Sequence, residues 1–148
     1  MADILHRIGV KGSSPDDVYA ALTTLEGLSG WGARDTTGKP GDVGGVIRFR
    51  FVPGGFDMQV VELQPGRKVV WEVVEGPAEW LGTRVDFELS QAGDFAIAVF
   101  AHRGWAEPVE FMHHCSTKWA TYLLSLKQLI ETGVGAPDPV DLQISDWH

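Results

Sequence analysis

The segment that most constrains the fold lies near the carboxyl end, from Pro108 to Ile130, and contains no glycine. Its apolar residues recur at helical spacing, as Cys115, Trp119 and Tyr122 do, and Gly133 follows as a helix stop. A helix of this length spans roughly 35 Å, and its apolar stripe needs a surface of similar size for burial. The rest of the chain must therefore provide one extended apolar surface.

A series of antiparallel strands is predicted to provide that surface between Val46 and Arg103. Apolar and polar residues alternate along most of this region, which is the period of half-buried strands. Turn signals such as Pro53-Gly54-Gly55, Pro65-Gly66 and Gly76-Pro77 recur about every twelve residues and predict five strands of roughly eight residues. The last strand, Phe95–Arg103, is apolar on both faces, which is typical of a strand that is covered on each side or sits near the centre of the sheet.

An amino-terminal strand and two short helices are predicted before this sheet. Ile4–Val10 has apolar residues at Ile4, Ile8 and Val10 among polar ones, which predicts a strand. Ser14, Pro15 and Asp17 have the order of a capped helix start, in which the serine hydroxyl and the aspartate carboxylate satisfy free amide groups. Glycines then interrupt the helix, and a second short helical turn is predicted to end at Trp31.

Two segments lack periodicity. Residues 32–45 are polar and rich in glycine, which predicts a mobile loop that serves as a lid over a cavity mouth. Residues 136–148 are predicted to be an extended tail outside a single domain that covers residues 1–135. Three apolar side chains of the tail could hold it against the domain, namely Leu142, Ile144 and Trp147.

Charge and composition exclude several classes of partner. The chain has 12 Lys and Arg against 20 Asp and Glu, a net charge of -8, so nucleic acid is a poor partner and membrane insertion is not expected. The longest apolar runs are far shorter than the roughly 20 residues that span a bilayer. The single cysteine, Cys115, rules out an internal disulfide, and Met1–Val10 has no signal-peptide pattern. A cytoplasmic protein is expected.

Seven local motifs carry a resemblance to a known superfamily. In chain order they are Ser14–Leu22, Leu25–Trp31, Gly44–Phe49, Val61–Trp71, Thr83–Leu89, His102–Trp105 and Trp119–Lys127. Together with the order of elements they resemble the START-like (SRPBCC) superfamily, in particular the branch of the heat-shock-protein-ATPase activator homologues and the polyketide cyclase/dehydrase-like proteins. The resemblance implies an α+β helix-grip fold, in which a curved antiparallel β-sheet wraps around a long C-terminal α-helix and two short helices follow the first strand.

Aromatic residues suggest a cavity inside this fold, because six tryptophans and seven phenylalanines are numerous for 148 residues. A strongly curved sheet packed on one helix leaves a space that side chains need not fill. The alternative is that these residues pack a solid core, which is the commonest fate of a large apolar side chain. The residues predicted to line the cavity are Trp31, Phe49, Phe51, Phe56, Met58, Trp71, Phe87, Phe100, His102, Trp105, Phe111, Met112, Cys115, Trp119 and Tyr122.

Three functions remain open at this point. The first is binding of a small hydrophobic or amphipathic molecule without a cofactor. The second is a cyclase or dehydratase that uses His102 and Tyr122 for proton transfer, although His102 could equally be a structural histidine. The third is a protein-interaction module that contacts a chaperone through the outer face of the sheet, and a homodimer is also possible. Superfamily members include lipid and hormone carriers, cyclases and co-chaperone domains, so the fold alone does not choose.

The sequence shows no convincing metal site or catalytic pair. His113, His114 and Cys115 are adjacent, but neighbouring side chains on a helix point about 100° apart and cannot all reach one ion. A cysteine on the apolar stripe of a helix is normally an inert small hydrophobe. Arg103 is expected to point away from His102 if the strand stays regular.

Overall fold

The architecture is an antiparallel sheet that holds one long helix, as seen in a computed structural model that describes residues 1–51 and 54–148. The strands are β1 (Ala2–Lys11), β2 (Asp35–Gly38), β3 (Val46–Arg50), β4 (Gly55–Gln64), β5 (Lys68–Glu75), β6 (Arg84–Ala92) and β7 (Phe95–Trp105). The helices are α1 (Pro15–Thr23), α2 (Leu25–Trp31) and α3 (Glu110–Thr132), with a 3₁₀ turn at Ala78–Trp80. The predicted α+β helix-grip fold is confirmed.

The strands form one curved sheet in the order β1-β7-β6-β5-β4-β3-β2, and every neighbouring pair is antiparallel. The register of β4 against β5 shifts between Val60 and Glu62, which marks a β-bulge. β7 lies between β1 and β6 in the sheet, but its outer face is not fully covered, because Val99 is 40 % exposed. No helix in the described part of the chain is long and apolar enough to cross a membrane.

Local sequence signals set the helix ends. The Ser14 hydroxyl accepts a hydrogen bond from the Asp17 backbone amide, and the Asp17 carboxylate accepts one from the Ser14 backbone amide at 2.9 Å. This capping box satisfies two amides that the first turn of α1 leaves free. At the other end of the chain, Gly133 ends α3 with a φ of 88°, a left-handed conformation that glycine adopts without steric cost.

The predicted lid at residues 32–45 is wrong, because this segment carries the edge strand β2. Asp35–Gly38 pairs with β3, and the Gly44 amide donates to the carbonyl of Val60 at 2.8 Å. A β-carbon added to Gly38 would lie 2.0 Å from the Val46 carbonyl oxygen. Glycine at this position therefore permits close strand pairing and does not mark a mobile loop. The predicted turn Pro53-Gly54-Gly55 begins outside the described residues, since Pro53 is not among them.

Interlocking aromatic rings fill the centre of the space between the sheet and α3. The ring of Trp71 on β5 lies 5.3 Å from that of Phe87 on β6, and Phe87 lies 5.3 Å from Phe100 on β7. Phe100 in turn contacts Trp119 of α3, with 4.7 Å between ring centres. Rings at these distances leave little free volume. The middle of the space between the sheet and α3 is therefore a solid core, and a cavity lies towards one end of this space.

Candidate functional site

An apolar cavity of about 280 Å³ lies at one end of the space between the sheet and α3. The beginning of β4, the 3₁₀ turn, α3 and the carboxyl-terminal segment meet there. Ligand pockets usually measure roughly 300–1,000 Å³, and one water molecule takes about 30 Å³ of liquid. The cavity is therefore large enough for a small molecule. Its lining residues are Phe51, Gly55, Phe56, Pro77, Trp80, Phe111, His114, Cys115, Lys118, Trp119, Tyr122, Asp138, Trp147 and His148.

Aromatic rings form a continuous wall along the apolar side of this cavity. The ring of Phe51 lies 5.1 Å from that of Phe56 and 6.0 Å from that of Tyr122. Phe56 contacts Trp80 at 4.8 Å, and Trp80 stacks on Trp119 with an interplanar angle of 16°. Flat π faces in this arrangement offer a large apolar contact area with little conformational entropy to lose. The wall suits a planar or compact apolar body.

Six of the fifteen residues predicted to line a cavity do line it, namely Phe51, Phe56, Phe111, Cys115, Trp119 and Tyr122. The other nine are buried in the core and lie outside the lining, namely Trp31, Phe49, Met58, Trp71, Phe87, Phe100, His102, Trp105 and Met112. The alternation of a strand shows that a side chain faces the helix, but every inward position looks alike in the sequence. The solid-core alternative thus describes these nine residues.

His102 is fully buried, with 0 % of its surface exposed, and both ring nitrogens have side-chain partners. The indole N–H of Trp119 donates to Nδ1 at 3.1 Å, so Nδ1 is unprotonated and the proton of the neutral ring resides on Nε2. Nε2 then donates to the Thr83 hydroxyl at 2.7 Å, which itself donates to the Trp80 carbonyl. Burial lowers the pKa of His102 to about 4. The neutral ring therefore connects β7 with α3 and with Thr83, the residue that precedes β6.

Arg103 faces the opposite side of β7, as expected. Its guanidinium lies 2.8 Å from the Asp86 carboxylate on the outer face of the sheet. The hydrogen bond and charge of Asp86 raise the pKa of Arg103 further above its ordinary value. The arginine is therefore outside the cavity.

Tyr122 belongs to a charged cluster at the polar end of the cavity. Its hydroxyl donates to Oδ2 of Asp141 at 3.0 Å, and the Lys118 ammonium lies 2.5 Å from the same oxygen. Burial, followed by the charge of Asp141, raises the pKa of Tyr122 far above its ordinary range. Burial alone would raise the pKa of Asp141 as well, but the hydrogen bonds from Lys118 and Tyr122 outweigh it and hold that pKa below its usual value.

Cys115 lies in the apolar wall and is 4 % exposed. Burial raises the pKa of its thiol to about 12. A thiol with this pKa is almost entirely protonated at neutral pH and is a poor nucleophile. Cys115 therefore contributes shape and polarisability to the wall.

Several lining residues are absent from the sequence prediction, and two of them had a usable signal. Trp80 follows Gly76-Pro77 in a connection between strands, where a large aromatic side chain is unusual enough to indicate a contact. Lys118 lies three residues after Cys115 and four before Tyr122, so helical spacing places it beside the apolar stripe. Asp138 and His148 have no such signal, because the path of the tail depends on tertiary packing.

The described residues include one cluster with ligand types suited to a metal. One ligand atom from each of Asp138, Asp141 and His148 lies within 4.8 Å of the others. The Lys118 ammonium already lies on Asp141 and supplies positive charge there, which disfavours a metal ion at the same place. His114 and Cys115 both line the cavity, and Nδ1 of His114 lies within hydrogen-bond distance of the Ser145 hydroxyl, at 2.7 Å.

Comparisons with known proteins agree with this fold. The solution structure of the Aha1 dimer from Colwellia psychrerythraea is 44 % identical, covers 91 % of this chain and 100 % of its own, and superposes with a TM-score of 0.84. CalU16 from Micromonospora echinospora is 18 % identical, covers 93 % of this chain and 70 % of its own, and has a TM-score of 0.73. DynU16, a putative protein in the dynemicin biosynthetic locus, is 19 % identical over 90 % of this chain and 48 % of its own, with a TM-score of 0.74.

CalU16 and DynU16 are too different in sequence to indicate more than the fold, and none of the curated proteins matches the chain. The resemblance to the SRPBCC superfamily is confirmed. The profile of the family described as Activator of Hsp90 ATPase homolog 1-like protein matches residues 13–131, and the chain therefore belongs to this family.

Proposed function

We propose that this protein binds a small hydrophobic or amphipathic molecule in the cavity between the sheet, α3 and the carboxyl-terminal segment. The observation that carries the proposal is the aromatic cavity of about 280 Å³, whose lining also includes the charged side chains of Lys118 and Asp138. Burying apolar ligand surface against such a wall yields roughly 25 cal/mol per Å² of area removed from water. The ligand therefore has a compact apolar body, and any polar group on it faces Lys118 and Asp138.

Binding is favoured over a cyclase or dehydratase activity by the state of the two candidate catalytic groups. His102 does not line the cavity, and both of its nitrogens are engaged by Thr83 and Trp119. Tyr122 does line the cavity, but its proton is donated to Asp141. A general acid or base needs a free site within hydrogen-bond reach of the substrate. This pair therefore supports no proton-transfer step.

A cavity-filling variant tests the proposal. Cys115→Phe places a ring in the cavity from the middle of α3 and should reduce the affinity for an apolar fluorescent probe, anilinonaphthalene sulfonate, at least tenfold in a fluorescence titration. The control is Leu124→Phe on the same helix, where the side chain is 57 % exposed and the cavity is unchanged. Equal affinity in both variants and the wild type would show that the probe binds elsewhere and would contradict the proposal. Native mass spectrometry of the purified protein then looks for a copurified ligand.

Protein–protein contact through the outer face of the sheet is a second candidate. Leu5 on β1 and Val99 on β7 lie diagonally opposite each other on that face, with 63 % and 40 % of their surfaces exposed. The relative from Colwellia psychrerythraea is described as a dimer. A second copy of the chain is therefore the first partner to test, and a chaperone is the second. Leu5→Glu should shift a dimer to monomer in sedimentation velocity, whereas Leu81→Glu, at 52 % exposure elsewhere, should not.

A further inference from the structure

Residues 136–148, called the strap from here on, form one wall of the cavity. The strap contributes Asp138, Trp147 and His148 to the lining. Its first part is anchored by the backbone. The Ala136 amide donates to the Ser125 hydroxyl at 2.8 Å, and the Asp138 amide donates to the carbonyl of residue 32 at 2.9 Å. The strap therefore has a fixed end beside α2 and α3.

The second part of the strap is held mainly by one side chain of α3. The Lys118 ammonium contacts Oδ2 of Asp141 at 2.5 Å and the carbonyl oxygens of Leu142 and His148 at 2.8 and 3.2 Å. An ammonium has three N–H donors, so all of them are directed to the strap. Tyr122 adds a hydrogen bond to the same Asp141 oxygen. These contacts of Lys118, Asp141 and Tyr122 are called the latch below.

Apolar burial contributes little to this attachment. Val140, Leu142 and Trp147 are 54 %, 68 % and 50 % exposed, and the Trp147 ring packs edge-on against the rings of Phe111 and His114, at 6.1 and 5.6 Å between ring centres. Residues in a stable core bury almost all of their apolar surface. The strap therefore depends on the latch and on a few polar contacts for its closed position.

The latch has the properties of a two-state contact. The Asp141 side chain has 0 % exposure, and its Oδ1 has no hydrogen-bond partner within residues 1–51 and 54–148. A buried carboxylate is tolerated while its cation is present, and losing the pairing makes its burial strongly unfavourable. Once Lys118 and Asp141 separate, water must reach the carboxylate, so the strap leaves α3 as a unit.

We propose that the strap is the gate of the cavity, with residues 141–148 detaching from α3 around the anchor at residues 136–138 to let a small apolar molecule enter and leave. This inference rests on the proposed ligand-binding function and adds the route of exchange to it. Opening removes Trp147 and His148 from the lining, which exposes the aromatic wall directly to solvent. The rate of opening then limits both association and dissociation.

Asp141→Asn tests the gate, because it removes the charge of the latch at a residue that does not line the cavity. Hydrogen exchange with mass spectrometry on the ligand-free protein should show at least tenfold faster exchange in residues 139–148. Stopped-flow fluorescence with anilinonaphthalene sulfonate should show association and dissociation rates that both rise at least tenfold, with a Kd changed by less than about threefold. Asp146→Asn is the matched control, since Asp146 is exposed on the same strap and makes no latch contact.

A double variant separates charge from a general loss of contact. Lys118→Met combined with Asp141→Leu replaces the ion pair with apolar groups of similar size, which often preserves the stability of a buried contact. We expect it to restore slow exchange in the strap. If hydrogen exchange in the strap of the double variant is as fast as in Asp141→Asn, the ion pair of Lys118 and Asp141 is not what holds the strap closed.

The remaining outcomes distinguish the gate from the proposed function. If Asp141→Asn shows faster hydrogen exchange in the strap but unchanged rates of probe association and dissociation, the gate alone is overturned, because the probe then enters by another route. Unchanged strap exchange in Asp141→Asn would also overturn it. A wild-type protein that does not bind the probe would overturn the proposed function and the gate together, while hydrogen exchange would still report whether the strap opens.

Discussion

The buried His102 makes a quantitative prediction about pH. Burial lowers its pKa from 6.5 to about 4 in the folded protein, and the unfolded chain regains the ordinary value. The unfolded state therefore binds more protons between these two values, so the contribution of His102 to stability is complete above about pH 6.5 and is lost as pH falls to about 4. One pKa unit corresponds to 1.36 kcal/mol, so the free energy of unfolding decreases by roughly 3 kcal/mol over this window.

A variant without a titrating ring isolates this contribution. Gln at position 102 keeps a carbonyl that accepts from Trp119 and an amide that donates to Thr83, but it has no pKa in this range. At about pH 7 His102→Gln should be less stable than the wild type by roughly 1–3 kcal/mol, because the geometry of both hydrogen bonds changes. At about pH 4.5 the difference in the free energy of unfolding between the two proteins should change by roughly 2–3 kcal/mol in favour of the variant, because only the wild type loses the contribution of His102.

Urea unfolding followed by tryptophan fluorescence at the two pH values measures both differences. Carboxylates also titrate between these two pH values, but they do so in the wild type and in the variant alike. Their effect on the free energy of unfolding therefore cancels when the two proteins are compared. A wild-type advantage that is the same at both pH values would refute the assignment of His102 as a buried neutral connector. NMR titration of the ring provides a check that needs no variant, and a pKa near 6.5 would refute it independently.

Three further predictions concern local features. Ser14→Ala removes the cap of α1 and should lower the free energy of unfolding by about 1 kcal/mol in urea unfolding, so an unchanged value would argue against the cap. Cys115, with its pKa raised to about 12 by burial, should react with Ellman's reagent much more slowly in the native protein than in the unfolded chain, and complete reaction within seconds under native conditions would contradict its burial. Gly133→Ala, at a φ of 88°, should cost about 1–2 kcal/mol in the same unfolding assay, and a neutral result would show that α3 ends differently.

The sheet and α3 could be predicted because their signals are local and repeated. Val85, Phe87 and Leu89 alternate with charged residues, and each faces the helix in the structure. β2 could not be predicted in this way. Asp35–Gly38 has only four residues and almost no apolar side chains, so pairing with β3 defines it as a strand and its own composition does not.

The candidate site was only partly predictable. Phe51 and Phe56 line the cavity, whereas Phe87 and Phe100, which face the same helix, lie in the solid core. All four have the same inward pattern in the sequence. The difference arises from position along the curved sheet, because Trp71 packs in the middle of the space between the sheet and α3, whereas the cavity lies at the end near Trp80.

The sequence by itself determined which elements form and which face of each is buried, because side-chain periodicity and caps depend on neighbours within a few residues. Tertiary structure decided where the packing stops and the cavity begins, since that depends on contacts between distant segments. It also decided the role of residues 136–148. The pairing of Lys118 with Asp141 across 23 positions has no counterpart in any local pattern, and it turns a tail into a wall of the site.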